Sequence, residues 1–329
     1  MNIAIAILNW NGKKLLEQFL PSVVTYSREA KVYVIDNASS DDSVTFVNAN
    51  FPDVKVIQNT ENGGYSKGYN DGLKQIEADI YCLLNSDVEV TENWLTPIIE
   101  AFNKFPDTAI IQPKLLDFKN RDYFEYAGAA GGFIDKYGYP YCRGRIFNSI
   151  EKDLGQYNDV AEIFWASGAC FFIRSKVFQE LKGLDEDFFA HMEEIDLCWR
   201  AKNMGYSIKY VSDSKVYHVG GATLSNSNPK KTYLNFRNSL FILTKNGKGI
   251  LFGKILTRLI LDGIAGVKFL LELKPEHTLA IVKAHLSFYF HFNHLVKQRR
   301  LVKKKINYYK KPSIVIDYFV NKKTNYKSL

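Results

Sequence analysis

The segment Leu83-Leu84-Asn85-Ser86-Asp87-Val88-Glu89-Val90 predicts both the fold class and the position of a site. The apolar run from Ile80 to Leu84 is short and continuous, as is typical of a strand covered on both faces in a mostly parallel sheet. Ligands of such sheets bind beyond the carboxyl ends of the strands. A carboxylate there, Asp87, can hold a divalent cation that neutralises the phosphates of a nucleotide. The alternative interpretation is an Asx or Ser turn that caps a helix starting near Glu92, and these residues alone favour neither.

The rest of the first half alternates predicted strands and helices. The predicted strands are Ile3–Leu8, Lys31–Ile35 and Val54–Gln58, and the predicted helices are Gly12–Tyr26, broken near Pro21, Asn62 to about Ile76, and about Glu92–Lys104. Strands alternating with helices at this spacing predict an α/β fold with an open, mostly parallel sheet and flanking helices.

Beyond residue 104 the alternation becomes irregular. Tyr123–Tyr141 is rich in Gly and Tyr and predicts hairpins and loops. The predicted elements that follow are a small-residue turn entering a buried strand within Phe164–Ile173, helices at Ser175–Leu181 and about Met192–Met204, and strands at Ser207–Val211 and Lys215–Val219.

The net charge of +8 is unevenly distributed. Residues 245–329 hold 18 Lys and Arg against 4 Asp and Glu, and residues 1–244 hold 25 against 31. A separate basic segment indicates an anionic partner, either a membrane surface or nucleic acid, while the acidic remainder argues against nucleic acid binding by the main domain. We therefore expect a domain at 1–240 and an amphipathic, helical, basic region at 241–329.

The basic region predicts two helices that lie on a membrane surface. Ile250–Leu273 is apolar enough to suggest a span, but Lys254, Arg258, Asp262 and Lys268 interrupt it, so an interfacial helix is favoured. A second helix covers Glu276–Lys297, and a polybasic segment from Arg299 to Lys311 follows, as expected on anionic lipid. A solvated basic tail beside a purely structural helical pair is the alternative.

The four cysteines are far apart and mostly lie inside apolar runs, at Cys82, Cys142, Cys170 and Cys198. This pattern predicts reduced, buried thiols rather than a disulfide framework or a zinc site, and so a cytoplasmic protein.

Four polar clusters follow predicted strands and are expected to meet in one crevice. They are Asn9 to Asn11, Asp36 to Ser39, Asn62 to Asn70, and Asn85 to Asp87. Asp36 can bond a ribose or base edge, and the backbone of Gly63 and Gly64 can approach phosphate closely. Because no Gly-x-Gly-x-x-Gly follows the first strand and no Gly-Lys-Ser/Thr loop exists, dinucleotide oxidoreductases and P-loop proteins are disfavoured.

A second constellation is His191-Met192-Glu193-Glu194-Ile195-Asp196, with three carboxylates at a predicted helix start. Acidic first turns are often simple helix capping. Neighbouring apolar residues suggest a partly buried helix instead, in which a carboxylate gains the basicity that proton abstraction needs. His218, at the end of a predicted strand, is a candidate metal ligand, although a lone His is more often structural.

Together these stretches resemble the family 2 glycosyltransferases of GT-A fold, particularly the rhamnosyltransferase-like bacterial branch. The resemblance covers about residues 2–240. It is carried by Ile7-Leu8-Asn9-Trp10-Asn11-Gly12, Val34-Ile35-Asp36-Asn37-Ala38-Ser39-Ser40-Asp41, Asn62-Gly63-Gly64-Tyr65, Leu84-Asn85-Ser86-Asp87, Trp165-Ala166-Ser167-Gly168-Ala169 and Glu193-Glu194-Ile195-Asp196-Leu197-Cys198-Trp199-Arg200.

The resemblance implies inverting transfer of a sugar from a nucleoside diphosphate donor, either deoxythymidine diphosphate rhamnose or a uridine diphosphate hexose. It places Mg²⁺ or Mn²⁺ on Asp87, with Asn85 replacing the first Asp of the family's usual Asp-x-Asp and His218 as an additional metal-side residue. Glu194 corresponds to the family's general base, and Glu193 and Asp196 are expected to support it in that role. The implied roles are catalytic for Glu194, Glu193 and Asp196, and nucleotide-sugar binding for Asn9, Asn11, Asp36, Asn62, Gly63, Gly64, Asn85 and Arg237.

The acceptor side is expected at Trp165, Ser167, Gly168 and Ala169, with Trp165 stacking on a sugar face or, alternatively, packing in the core. The expected acceptor is a glycan, lipid-linked, in bacterial surface polysaccharide synthesis. The expected location is cytoplasmic and peripheral, on the inner face of the cell membrane, with no nucleic acid partner. Because Asn85 departs from the family pattern, a non-catalytic sugar-nucleotide or polysaccharide binding module is the alternative function.

Overall fold

The computed structural model describes residues 1–220, 228–302 and 304–329, and its first third alternates strands and helices as predicted. The elements are β1 (Ile3–Asn9), α1 (Lys13–Tyr26), β2 (Ala30–Asp36), α2 (Ser43–Asn50), β3 (Lys55–Gln58), α3 (Gly64–Leu73), β4 (Ile80–Asn85), β5 (Val88–Val90) and α4 (Thr96–Lys104). The prediction missed β5, because Val88–Val90 pairs with residues 216–218, which are distant in sequence. The helix α4 starts four residues later than expected.

The second part of the chain contributes short strands and then helices. The elements are β6 (Thr108–Asp117), β7 (Gly132–Ile134), β8 (Pro140–Cys142), β9 (Arg145–Ile146), β10 (Ser149–Ile150), β11 (Val160–Glu162), β12 (Cys170–Arg174), α5 (Ser175–Glu180), α6 (Glu193–Asn203), β13 (Ser207–His218), α7 (Pro229–Asn246), α8 (Leu251–Leu271) and α9 (Pro275–Leu301). The two strands expected between residues 207 and 219 are one strand, with an irregularity between Val211 and Lys215.

The main sheet has the order β11-β13-β6-β12-β4-β1-β2-β3, and β5 pairs with β13. The strands β3, β2, β1 and β4 are parallel to one another, while β12 runs antiparallel to both β4 and β6. Since β13 is parallel to β6, its carboxyl end lies at the same edge as the carboxyl ends of β1, β2 and β4. The start of β12 lies at that edge too, because Cys170 is opposite Leu84.

The sheet is covered by apolar layers on both faces, as the sequence of the central strands predicted. In β1, Ile3, Ile5 and Ile7 pack in the layer that holds α1, and Ala4 and Ala6 face the layer that holds α3. The predicted break of α1 at Pro21 is wrong, because α1 is continuous to Tyr26. Leu16, Phe19, Leu20 and Val23 are buried on both sides of Pro21, so packing holds the helix together.

The carboxyl-terminal region is more tightly joined to the rest of the protein than expected. The boundary predicted at residue 240 falls inside α7, whose residues Leu240–Leu243 are buried. The segment after α9 is not a free polybasic tail: Tyr326 stacks against Phe133 and Tyr141, and the Ile314 backbone N–H donates to Asp135. A short second sheet of order β10-β9-β8-β7 supplies these contacts.

Two further expectations concern the whole chain. All four cysteines are buried and free, as predicted. Within the described residues, no helix combines the length and the apolar character that crossing a bilayer requires.

Candidate active site

Asn9 and Asp36, from the ends of neighbouring parallel strands, are in direct contact. The Asn9 side-chain amide donates to the carboxylate of Asp36 at 3.0 Å and to the hydroxyl of Ser39 at 3.2 Å. The second oxygen of Asp36 accepts from the Ser39 backbone N–H at 3.0 Å. Asn11 is exposed, and its side-chain oxygen accepts from the Ser40 backbone N–H at 2.7 Å. The first two predicted clusters therefore form one hydrogen-bonded loop pair.

The third cluster is joined to the second through Asn37, whose role the sequence analysis did not identify. Its side-chain amide donates to Asn62 at 2.9 Å and to the Gly64 carbonyl at 3.0 Å. Gly64 has a φ of +77°, and a Cβ there would lie 2.6 Å from the Phe189 carbonyl oxygen. Gly63 opens α3 beside it. Only glycine therefore fits position 64, where the backbone turns tightly into α3.

The fourth cluster lies at the same edge of the sheet. A Cβ on Gly12 would meet the Asn9 side-chain oxygen at 2.4 Å and the Ser86 hydroxyl at 3.8 Å, so the turn after β4 lies beside the loop after β1. The Asn85 backbone N–H donates to the Ala169 carbonyl at 2.9 Å. This geometry agrees with the expectation that the four clusters lie close together at one edge of the sheet.

Asp87, His218 and Glu125 form a buried cluster of opposite charges. His218 Nε2 lies 3.1 Å from Asp87, and His218 Nδ1 lies 3.2 Å from Glu125. Burial lowers the pKa of His218, but the two carboxylates outweigh it and raise that pKa to about 10. Burial raises the pKa of Asp87, but His218 outweighs it, so the carboxyl titrates below its ordinary range. Glu125 was missed because it lies in an irregular loop without a motif.

The residues at this cluster fit a divalent cation. Asp87 and His218 offer a carboxylate oxygen and an imidazole nitrogen side by side, and both are types of ligand that Mn²⁺ accepts. His218 would bind the cation as a neutral imidazole, so the cation would displace the proton that His218 shares with Asp87. Across residues 1–220, 228–302 and 304–329, no group of three or more His, Cys, Asp and Glu side chains is arranged to hold a metal ion by itself. Two protein ligands are the pattern expected where substrate phosphates complete the coordination.

Glu194 lies at the start of α6, against the small-residue turn that precedes β12. A Cβ on Gly168 would lie 3.7 Å from the carboxyl carbon of Glu194 and 3.3 Å from the Tyr65 hydroxyl. That hydroxyl donates to the Gly168 carbonyl at 2.7 Å. Since Ala169 bonds to Asn85, the turn from Ser167 to Ala169 connects Glu194 with the turn that carries Asp87. Tyr65 belongs to a quoted motif, but the sequence analysis gave it no role.

Two adjacent carboxylates at this end of α6 lack some of their hydrogen-bond partners. One oxygen of Glu193 and one of Glu194 are buried without a hydrogen-bond partner. Burial raises the pKa of Glu194 to about 7, and burial with the neighbouring Glu194 charge raises the pKa of Glu193 well above its usual range. A carboxylate with a pKa near neutrality can accept a proton at physiological pH.

The backbone just before α6 is strained. His191 and Met192 have φ values of 68° and 73°, in the left-handed region that non-glycine residues rarely adopt. The Asn238 side-chain amide donates to the carbonyls of Ala190 and His191, at 2.9 Å and 2.7 Å, and so holds this segment against α7. Backbone strain that neighbouring contacts maintain is common at functional sites, where it fixes the orientation of a side chain.

The contacts of Asp196 do not fit the supporting catalytic role that the resemblance implied for it. Its oxygens are paired with Arg200 at 2.7 Å, Lys245 at 2.9 Å and Asn246 at 2.8 Å. Burial raises its pKa, but the two cations outweigh burial and lower that pKa to about 2. Asp196 therefore anchors α6 to α7 and is not a proton acceptor.

Trp165 packs in the core, so its predicted stacking on an acceptor sugar is wrong. The ring is 2% exposed, and its N–H donates to the Phe133 carbonyl at 2.8 Å. A Cβ on Gly132 would lie 2.0 Å from the ring, so β7 packs directly on it. Ser167 is buried as well, and its backbone N–H donates to Gln112 at 2.8 Å. Gly168, another of the predicted acceptor residues, lies beside Glu194.

Arg237 lies on α7 beside the loop that leads into α6. Its guanidinium donates to the Asp187 carbonyl at 3.2 Å and lies over the rings of Tyr233 and Phe241. The same loop supplies the Phe189 carbonyl that accepts from the Tyr65 backbone N–H. Arg237 therefore borders the loop that precedes α6 and contacts α3. Its predicted contact with a diphosphate stays a prediction.

The fold is shared with solved glycosyltransferase structures. GalNAc-T7, solved with UDP, GalNAc and Mn²⁺, superposes with a TM-score of 0.61 and 15% identity, over 89% of this chain and 57% of that chain. The match to that larger protein shows a shared fold. The fold is therefore GT-A, and the family model that matches this chain makes it a glycosyltransferase.

The chain belongs to glycosyl transferase family 2, whose model matches residues 4–182. The low-salt glycan biosynthesis hexosyltransferase Agl10 of Haloferax volcanii is 24% identical over 84% of this chain and 87% of its own length. The N-acetylglucosaminyl-diphospho-decaprenol L-rhamnosyltransferase of Mycobacterium tuberculosis is 24% identical over 62% of this chain and 71% of its own. The family predicted from the motifs is confirmed, and the chain is an enzyme rather than a non-catalytic binding module.

Proposed function

We propose that this enzyme transfers a sugar with inversion from a nucleoside diphosphate donor to a lipid-linked glycan acceptor. The observation that carries the proposal is the position of Glu194 beside the Gly168 turn, with a buried oxygen that has no partner. The pathway would be the synthesis of a bacterial surface polysaccharide. Deoxythymidine diphosphate rhamnose is the first candidate donor and a uridine diphosphate hexose the second.

The donor would lie across the loops that follow β1, β2 and β3. Asp36 would bond the ribose or base, oriented by Asn9 and Ser39, which already hold its carboxylate. Asn62, Gly63 and Gly64 would form the wall of the nucleotide site, because Asn37 fixes them to the end of β2. Asn11 and Asn85 would line the site at its rim, and Arg237 would approach the diphosphate from α7.

Asp87 and His218 would hold Mg²⁺ or Mn²⁺ at the end of β4. When bound, the cation would neutralise the negative charge of the departing diphosphate. The Mn²⁺ in the GalNAc-T7 structure supports a divalent cation in this fold. Asn85 stands where the family usually has the first Asp of Asp-x-Asp, so we expect Asp87 and His218 to supply the main protein contacts.

Glu194 would act as the general base. It would accept the proton of the acceptor hydroxyl as that oxygen attacks the anomeric carbon opposite the diphosphate. Its raised pKa suits this task, and the absence of a side chain at Gly168 leaves room for the acceptor. Glu193, buried beside it, would keep the site basic, and Ser167 and Ala169 would fix the turn that the acceptor meets.

A lipid-linked acceptor is supported by the name of the mycobacterial relative, whose substrate is a diphospho-decaprenol. Such an acceptor lies in a membrane, so the enzyme would work at the membrane surface, on the cytoplasmic face where nucleotide sugars are made. The basic region after residue 244 supports an anionic surface as its partner.

A thermal-shift screen of nucleoside diphosphate sugars, with and without Mn²⁺, tests the donor and metal together. A ligand present at about 100 times its Kd stabilises the folded state by about 2.7 kcal/mol, so the correct donor should raise the Tm only when Mn²⁺ is present. Asp87→Asn should lose this shift, measured against its own ligand-free Tm, and Asp107→Asn, at an exposed carboxylate, should keep it. A shift in the Asp87→Asn variant as large as in the wild type would contradict the metal site.

A further inference from the structure

The helix α8 presents its apolar side to the outside. Its large outward side chains are between 48% and 81% exposed and recur every three or four residues, so they form one stripe: Phe252, Leu256, Ile260, Ile264, Val267 and Leu271. A helix of 21 residues is about 31 Å long, so the stripe is far longer than a local apolar patch. Lys268 is the only exposed charged residue of α8.

The inward side of α8 holds a buried ion pair beside the apolar residues Ile255 and Leu259, whereas the inward side of a surface helix is usually apolar throughout. Arg258 and Asp262 are buried and paired at 2.7 Å. Asp262 also accepts from the Tyr139 hydroxyl at 2.7 Å, and Arg258 donates to the Tyr137 carbonyl at 3.2 Å. Burying a charge destabilises a protein unless the charge has hydrogen-bond and ion-pair partners. Arg258 and Asp262 have such partners, so these contacts fix the rotation of α8 about its axis.

The neighbouring helix α9 repeats the outward pattern. Its exposed apolar residues are Leu279, Val282, Leu286, Tyr289 and Phe290, while Ala280, Ile281, Ala284 and Phe288 are buried. The side chains of α8 and α9 meet at Phe269 and His277, whose rings stack at 4.9 Å. We call the outward apolar residues of α8 and α9 together the hairpin face. Exposed apolar surfaces of this extent mark contact with another molecule or a membrane.

The exposed charges around the hairpin face are mostly positive, although the exposed Glu276 lies in the first turn of α9. Lys268, Lys283 and Lys297 are exposed along the two helices. Asp262 is fully buried, and Glu272, at the connection between the helices, is already paired with Lys268 and Lys274 at 3.2 Å and 3.1 Å. A two-fold contact with a second copy would bring two such basic rims together, whereas an anionic lipid surface complements them.

We propose that the hairpin face inserts into the surface layer of a bilayer that contains anionic lipids. The helices lie in the membrane plane, with the apolar stripes among the acyl chains and the lysines at the headgroups. This inference rests on the proposed use of a lipid-linked acceptor. It narrows the sequence expectation, in which both helices and the polybasic tail lie on the membrane, because much of that tail is bound to the protein.

The contacts of the tail leave fewer of its charges for lipid. Arg299 donates to the carbonyls of Thr244, Gly247 and Gly249. Lys305 donates to the Arg299 and Val302 carbonyls, and the Tyr308 hydroxyl donates to the Lys136 carbonyl. The Arg299 and Tyr308 bonds hold the segment against the body of the protein, and the Lys305 bonds use its ammonium within the segment itself.

The polar side of α8 connects the hairpin face to the active site. Tyr137 and Tyr139, which hold Arg258 and Asp262, lie in the turn between β7 and β8. Gly132 of β7 pairs with Trp165, two residues before the turn at Ser167–Ala169. The hairpin face therefore fixes the acceptor side of the site relative to the bilayer, which suits an acceptor whose lipid stays in the membrane.

Vesicle co-sedimentation of the full chain tests the proposal. The probes are vesicles of phosphatidylcholine alone and of phosphatidylcholine with phosphatidylglycerol. The outward variant Leu256→Gln, Ile260→Gln and Ile264→Gln should bind the anionic vesicles roughly a hundredfold more weakly than the wild type, since three apolar side chains leave the acyl layer. The matched control Leu154→Gln, Val160→Gln and Met204→Gln replaces equally exposed apolar residues elsewhere and should bind like the wild type.

A tail variant separates the two sources of membrane affinity. Lys304→Gln, Lys310→Gln and Lys311→Gln should weaken vesicle binding by less than about threefold, whereas a tail lying on lipid would lose about 1 kcal/mol per lysine, or roughly a hundredfold. Failure of the wild type to bind vesicles, or equal binding by the outward variant, would overturn the proposal.

Two further measurements separate the remaining outcomes. A wild type that is dimeric in solution, and that the outward variant makes monomeric without changing vesicle binding, would assign the hairpin face to a second copy and overturn the proposal. Donor binding by thermal shift is measured on the same samples. Vesicle binding without donor binding contradicts the proposed reaction and not the hairpin face, and donor binding without vesicle binding does the opposite.

Discussion

Glu194 and Asp196 lie two residues apart at the start of one helix, yet they are in opposite physical states. Asp196 has a partner for each oxygen, and its pKa is lowered to about 2. Glu194 has an oxygen without a partner, and burial raises its pKa to about 7. A buried carboxylate that is fully paired holds the structure together, whereas one left under-satisfied is kept at a cost in stability that a function must justify.

The same contrast separates two larger regions. The polar cluster between α8 and the turn after β7 is closed, because Arg258, Asp262 and Tyr139 satisfy one another. At the carboxyl edge of the sheet, Asn9, Glu193, Glu194 and His191 each keep a buried atom without a partner. We infer that the open region is the one built to receive a ligand.

The largest expected effect is on catalysis, from Glu194→Gln. General base catalysis contributes about 10²- to 10⁴-fold, so kcat should fall by that factor, while donor affinity stays the same because the donor lies on the other loops. The measurement is sugar transfer under saturating donor, with donor affinity from the thermal shift. Glu100→Gln, at an exposed carboxylate of α4, is the control and should retain full activity. Retained turnover in Glu194→Gln would remove this residue from the base role.

The second effect is on stability, from Asp196→Ala. Removing one partner of a buried ion pair costs about 3–5 kcal/mol, because the cations of Arg200 and Lys245 lose their counter-charge. Urea unfolding measures this free energy. Asp71→Ala is the matched control: Asp71 pairs with Lys67 at the same i,i+4 spacing, but on the surface, where about 0.3–0.5 kcal/mol is expected.

If Asp196→Ala unfolded at the same urea concentration as the wild type while transfer was lost, Asp196 would belong to the reaction after all. The comparison between the two acids of α6 would then fail. A stable Asp71→Ala variant is needed in the same experiment, since it shows that loss of an ion pair by itself has little effect.

The third effect is on metal affinity, from Glu125→Gln. Glu125 lies on the far side of His218 from Asp87, the position from which a carboxylate orients a metal-binding imidazole. Loss of such a partner costs about 10- to 100-fold in metal affinity. Mn²⁺ binding by electron paramagnetic resonance measures it without any activity assay. Glu89→Gln, on the strand that pairs with His218, is the control, because Glu89 instead contacts Arg121 at the surface. Unchanged Mn²⁺ affinity in Glu125→Gln would mean that His218 does not need this partner.

These comparisons also show what could be predicted from the sequence. The strand ends could be predicted, because short apolar runs followed by Asn, Asp and Gly mark the ends of buried strands. Each cluster alone is ordinary turn sequence, so the candidate site depended on their combination. Glu125 could not be predicted, since no local pattern places residue 125 next to residue 218. Trp165 was misassigned because the sequence does not show that Gly132 leaves space for its ring. An interfacial helix at Ile250–Leu273 was expected, but the buried pair of Arg258 and Asp262 was not, because the sequence does not show that Tyr139 lies beside them.

The smallest effect concerns the pH dependence of stability, and it tests the state of Glu194 directly. Its pKa is about 7 in the folded protein and near 4.5 when unfolded. Between these values the folded state holds a proton that the unfolded state has released, so this residue stabilises fully below pH 4.5 and loses its contribution as the pH rises through 7. Glu194→Gln has no such proton, so its stability relative to the wild type should rise from pH 5 to pH 7.5.

The expected gain is on the order of 1 kcal/mol. An isolated carboxyl with this shift would give about 2–3 kcal/mol over the same pH range, and the gain is smaller because Glu193 shares part of the titration. Thermal unfolding at several pH values measures it, with Glu100→Gln as the pH-independent reference. A variant that is less stable than the wild type at pH 7.5 and no more stable at pH 5 would show that Glu194 is a satisfied structural acid like Asp196. A gain at pH 7.5 together with lost transfer would instead show that the same carboxylate destabilises the fold and performs the reaction, as an under-satisfied group at the open edge of the sheet should.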